Sequence, residues 1–219
     1  MTKVYAFIFM YNTISTFTKL IIMKRVILFI ALMLCTMSAN AEKVVGTYTM
    51  AEMPREIEAA FDNKGALNVY VEVLGEYKND KVMIRISGEN DLNQFISKLK
   101  SCKEKFIEWK KVARTNNVTD YSKPFDITFP DVEIYWRGSE WFSTYKRNHL
   151  KPLFLVGSDG KASFGAGGKA QDWDNEYIDQ QWYLILISES EFDGLIDALN
   201  PEKIKSELNK NVNADALFQ

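Results

Sequence analysis

The stretch Gln171-Asp172-Trp173-Asp174-Asn175-Glu176 sets acids at every second position, the spacing at which oxygen ligands often line a calcium loop. Asp172, Asp174 and Glu176 are therefore the candidate metal ligands. The loop has no glycine at its sixth position and no closing bidentate glutamate, because Tyr177 follows, so a plain solvated loop is the competing reading. Phe164-Gly165-Ala166-Gly167-Gly168-Lys169-Ala170 carries glycines and a lysine, as phosphate cradles do. The Lys-Ser/Thr step is missing and no helix pattern follows, which makes this a flexible connection rather than a nucleotide loop.

Nucleophilic and zinc chemistry find little material. His149 is the single histidine, and one histidine cannot build a multi-histidine zinc site. Cys102 falls in the series Leu92, Phe95, Ile96, Leu99, Cys102, Phe106, Trp109, whose three-to-four-residue steps place the sulfur on the apolar face of a helix. A buried structural thiol follows. There is no Gly-x-Ser-x-Gly elbow. Paired carboxylates for sugar hydrolysis, about 5–10 Å apart in space, stay open because nothing in the sequence selects a pair. No cofactor is implied.

The remaining candidates are aromatic. Trp136, Trp141, Trp173 and Trp182, together with the acidic loop from Asp172 to Glu176, form the candidate ligand-binding set. In YWRGSEWF, Tyr135 to Phe142, a two-residue turn at Gly138-Ser139 sets Arg137 opposite Glu140 and Trp136 opposite Trp141. Buried rings would be sheet core, and exposed rings a sugar-stacking platform.

The elements that must position these residues read as strands around one long helix. Val44 to Met50 forms a strand, and Ala51 to Gly65 is irregular with a short helical turn after Pro54. Leu67 to Val73 and Val82 to Ile86 alternate with period two and make an antiparallel hairpin through Tyr77 to Asp80. Helical periodicity runs from Asn90 to Ala113. Short strands follow at Phe125 to Phe129, Val132 to Arg137, Trp141 to Lys146, Pro152 to Val156, Ala162 to Gly165 and Glu176 to Ser188. Ser188-Glu189-Ser190-Glu191 fits a capping box, and Asn200-Pro201 opens a further helix to Leu208. The fold class is α+β: a twisted, mostly antiparallel sheet packed against one long helix and two short C-terminal helices. IRISGENDLNQFISKL from Ile84 and LILISESEFDGLIDAL from Leu184 repeat one strand-to-helix pattern; duplication would produce this, but strand followed by a capped helix is common enough that coincidence is the favoured reading.

Met23 to Lys43, MKRVILFIALMLCTMSANAEK, has two basic residues, an apolar run and the small residues Ala39-Asn40-Ala41, the layout of a signal peptide over 23–41. Its apolar run is shorter than the ~20 residues that span a bilayer. A lipoprotein site at Cys35 would want a small residue where Leu34 stands. Residues 1–22 read as an extension from a start codon assigned too early, 42–210 as one exported domain, and 211–219 as a frayed tail. The leader carries Lys3, Lys19, Lys24 and Arg25 and no acid, so the remainder is acidic and lacks the basic stripe that nucleic acid requires.

FIEWKKVARTNNVTDYSKPFDITFP, Phe106 to Pro130, and LKPLFLVGSDGK, Leu150 to Lys161, give most of this region a look that resembles small uncharacterised secreted proteins of Gram-negative gut bacteria. The resemblance implies export and transfers no functional residue. The functional expectation is an exported non-enzymatic binding or interaction module of the periplasm or cell exterior, with a protein or glycan ligand, no nucleic acid and no membrane span after signal cleavage. The alternatives are an exported hydrolase of glycans or peptidoglycan and a calcium-stabilised structural subunit.

Overall fold

Alternation of apolar residues builds most of the sheet. The computed structural model describes residues 42–76, 81–137, 141–144 and 148–216. The leader with Cys35, the Tyr77 to Asp80 turn and the Gly138-Ser139 turn lie outside the described residues. Strands are β1 (Lys43–Met50), β2 (Met53–Phe61), β3 (Leu67–Gly75), β4 (Lys81–Ser87), β5 (Tyr121–Pro124), β6 (Glu133–Arg137), β7 (Trp141–Ser143), β8 (Leu153–Val156), β9 (Ala162–Gln171) and β10 (Asp179–Leu186). Helices are α1 (Glu89–Thr115), α2 (Glu189–Ala198) and α3 (Pro201–Ala216). The ladders are antiparallel and join in one ten-stranded sheet, so the fold is α+β.

Three segments differ from the sequence reading. Ala51 to Gly65 is a hairpin rather than an irregular run: Met50 pairs with Met53, and β2 turns Ile57 and Ala59 into the core. Its turn residues, Ala51 and Glu52, hold φ of 48° and 65°, which costs about 1–2 kcal/mol per non-glycine residue and is why no turn signal was visible. The strand expected at Phe125 to Phe129 lies four residues earlier, at β5. Phe125 and Phe129 leave the ladder to anchor a loop, with Phe125 stacked on Trp109 at 4.9 Å and Phe129 against Phe95 at 5.0 Å. The glycine-rich run expected as a connection is the body of β9. A Cβ on Gly167 would come within 2.5 Å of the Trp182 carbonyl oxygen, and one on Gly165 within 2.9 Å of Leu155 Cδ1. These glycines give a neighbouring strand room to lie close.

The helix α1 lays Leu92, Phe95, Leu99 and Phe106 on the sheet. Phe106 meets Phe192 of α2 at 5.4 Å, and Phe192 meets Phe164 of β9 at 5.2 Å, so one aromatic seam joins both helices to the sheet. Cys102 is buried in this layer, and desolvation pushes its thiol up to about 12.

The sheet forks and also curls. Leu67 to Val71 of β3 pair with β2, whereas Leu74 and Gly75 pair with β10. In the gap, the Tyr48 hydroxyl donates to the Glu72 carbonyl at 2.6 Å, and the Glu72 carboxylate accepts from the Glu56 N–H at 3.0 Å and Arg55 Nη1 at 2.9 Å. Side chains thus satisfy the polar groups that the split ladder leaves over. On the far side, Thr144 bridges to Asp172 and the Trp173 N–H donates to the Ser143 carbonyl at 2.9 Å. These links bring β7 back to the end of β9, closing β9, β10, β3, β4, β6 and β7 into a ring.

Candidate functional site

The hairpin that carries two of the candidate tryptophans is shifted by one residue from the expected register. Trp136 pairs with Phe142 and Arg137 with Trp141, so Trp136 does not face Trp141. Because side chains alternate along a strand, this single step sends the two indoles to opposite faces. Trp136 is 4 % exposed and stacks on Phe142 at 5.8 Å inside the ring of strands. Trp141 is 48 % exposed on the outside, with the Arg137 guanidinium 5.8 Å from its ring centre.

Trp182 is a core residue as well, 2 % exposed on the inward face of β10. A Cβ on Gly168 would sit 3.8 Å from its Nε1, so the indole lies across the bare backbone of β9, and that nitrogen has no hydrogen-bond acceptor among the described residues. Of the four tryptophans read as one ligand-binding set, Trp136 and Trp182 therefore present no ring to solvent. The reason is physical: both stand at inward positions of strands whose neighbours at two-residue spacing are core.

Trp141 and Trp173 are brought together. The bridge between Thr144 and Asp172, both buried, sets Ser143 and Trp173 outward, two residues along from Trp141. Trp173 is 63 % exposed, and Tyr177 on the same loop 87 %. The loop is held by its own polar groups. Asp172 Oδ1 accepts from the N–H groups of Asp174 at 2.9 Å and Asn175 at 3.0 Å, and Asn175 Oδ1 accepts from the Tyr177 N–H at 3.0 Å. Gln171 Nε2 donates to the Glu176 carbonyl at 3.2 Å. The result is an ordered ledge with exposed aromatics, flanked by Arg137, Asp174 and Glu176.

The same bonds set apart the three acids read as calcium ligands, Asp172, Asp174 and Glu176. Acids at every second position share a face only in an extended strand, and this segment turns. Asp172 points inward as a backbone acceptor while Asp174 and Glu176 stand in solvent, and among the described residues no three His, Cys, Asp or Glu side chains converge on one point. The other buried acid, Glu191, also serves backbone: its carboxylate accepts from Glu52 N–H at 2.9 Å and Ile187 N–H at 2.7 Å.

Arg137 and Tyr177 belong to the ledge but were not read as site residues in the sequence. The signal for Arg137 lay in the β6–β7 register, which alternation alone leaves undetermined, and Tyr177 stands on a loop with no periodicity to read. No helix among the described residues is long and apolar enough to cross a membrane. No family model, no curated protein and no solved structure matches this chain.

Proposed function

We propose that the chain is an exported, non-enzymatic module that binds a glycan across the ledge formed by Trp141 and Trp173. The observation that carries this reading is the division of the tryptophans: Trp136 and Trp182 are packed away, whereas Trp141 and Trp173 stand exposed on the same outward side. An exposed indole leaves apolar area in water, which a bound partner recovers at roughly 25 cal/mol per Å². The flat C–H face of a sugar ring matches an indole face, and Arg137, Asp174 and Glu176 at the rim supply donors and acceptors for hydroxyl groups. Export rests on the charged, apolar and small-residue order of 23–41.

Affinity electrophoresis of the mature chain through gels containing soluble polysaccharides, with pull-down on purified peptidoglycan, tests the reading. Retardation in at least one glycan is expected. Trp141→Ala and Trp173→Ala should each weaken it about tenfold, as the loss of one aromatic contact of about 1.4 kcal/mol requires. Wild-type migration unchanged in every glycan, by a chain with an intact melting transition, defeats the proposal.

A further inference from the structure

At the other end of β9, roughly 30 Å from the ledge at about 3.3 Å per strand residue, lies a recess of about 880 Å³. It opens between the last turns of α1, the strand β5 and the Gly157 to Lys161 turn. Leu155, Val156, Ala162 and Ile187 make its apolar lining. Its charged groups are Lys110, Arg114 and Lys161 against a single acid, Asp120, in a chain whose formal balance is negative overall.

Lys110 and Arg114 are four residues apart and so share one face of α1, over the recess. The Lys110 ammonium lies 5.3 Å from the Phe106 ring centre. Lys161 is paired with Asp159 at 3.1 Å and stands in solvent on the opposite wall. Arg114 makes no side-chain ion pair among the described residues. A guanidinium offers a forked donor pair suited to a carboxylate. The volume is in the range of small-molecule sites.

We infer that this recess binds a single-chain carboxylate amphiphile, such as a fatty acid, with its hydrocarbon against Val156, Ala162 and Ile187 and its carboxylate on Arg114 and Lys110. Charge complementarity selects this occupant: an apolar bed with cations on its rim matches one tail and one anionic head. A neutral surfactant would leave the cations unused, and a short anion would leave the bed in water.

Titration calorimetry of the mature chain with dodecanoate, dodecyl maltoside, acetate and an acidic peptide separates the possibilities. Dodecanoate is expected to bind, with the other three at least tenfold weaker. Arg114→Ala should weaken dodecanoate about tenfold, as loss of a charge-assisted contact does, and Lys110→Ala by a smaller factor. Lys111→Ala, an exposed neighbour outside the recess, controls for charge on α1. Equal binding of dodecyl maltoside, tighter binding of the acidic peptide, or dodecanoate affinity untouched by Arg114→Ala in a variant of unchanged melting point would each overturn the inference. Because the recess and the ledge occupy opposite ends of β9, either can fail without the other.

Discussion

The chain passes from strand to helix twice with the same pattern of apolar and acidic positions, Ile84 to Leu99 and Leu184 to Leu199, and the two junctions are closed by different chemistry. Between β4 and α1, Gly88 takes φ 86° and ψ 152°, makes no side-chain cap, and donates its N–H to the Leu67 carbonyl at 2.8 Å. Between β10 and α2, Ser188 stays extended and its hydroxyl accepts from the Glu191 N–H at 3.3 Å. Glu191 then reaches back to Ile187, one residue beyond the Ser188 N–H that a capping box prescribes, and across to the strained β1–β2 turn at Glu52. One junction depends on a backbone conformation and the other on side-chain acceptors. A repeated pattern therefore identifies a repeated task, strand-to-helix turning over a core, and leaves the means open.

This contrast breaks most visibly at Glu191. Glu191→Ala orphans two backbone donors and should cost about 2–3 kcal/mol, read as a lowered denaturant midpoint; an unchanged midpoint would mean water replaces the carboxylate freely. Gly88→Ala comes next, because this backbone region is essentially reserved for glycine, and a loss of about 1–2 kcal/mol is expected. Gly88→Ser should lose as much, since a hydroxyl cannot repair a backbone conflict. Ser188→Ala should cost about 1 kcal/mol and Ser188→Gly only a few tenths, which reverses the tolerance seen at Gly88. If Gly88→Ser matched the wild type, the asymmetry between the junctions would vanish.

The smallest effect is alkaline and reports on α1 alone. The Cys102 thiol is raised in the folded chain, so the unfolded chain releases its proton first as pH climbs. Its stability share is intact below the ordinary thiol range and drains away as pH rises from there to about 12. Cys102→Ala should lessen the slope of stability against pH in that window, and an identical slope would show that other groups govern it. Alkylation of Cys102 in the native chain should be slow at pH 8 and accelerate in Gly88→Ala in step with its lost stability.

The parts of the fold with strict periodicity were legible. Val69, Val71 and Val73 alternate and Leu92 to Phe106 recur at helical steps, and both patterns lie where the core requires them. The β2 strand was hidden because its turn uses Ala51 and Glu52, residues that carry no turn chemistry and are held by a glutamate far along the chain. The start of β9, Ala162 to Gly165, was legible, and the rest was hidden by glycines that admit the neighbouring Tyr183 and Leu155. Of the candidate site, Trp141, Trp173 and the acidic loop were named, but Arg137 and Tyr177 beside them were not. The Thr144–Asp172 bridge that unites them is a long-range closure with no local signature.

The Lys43 ammonium on the first strand donates to the Glu207 carbonyl on the last helix, and Gly46 lies against Ala198 of α2. These contacts have a temporal meaning. β1 finds its hairpin partner β2 at once, but its contacts with α2 and α3 wait until nearly the whole polypeptide has been made, and such distant contacts are slow to form. The β1–β2 hairpin therefore keeps one face uncovered until the C-terminal helices arrive to close it.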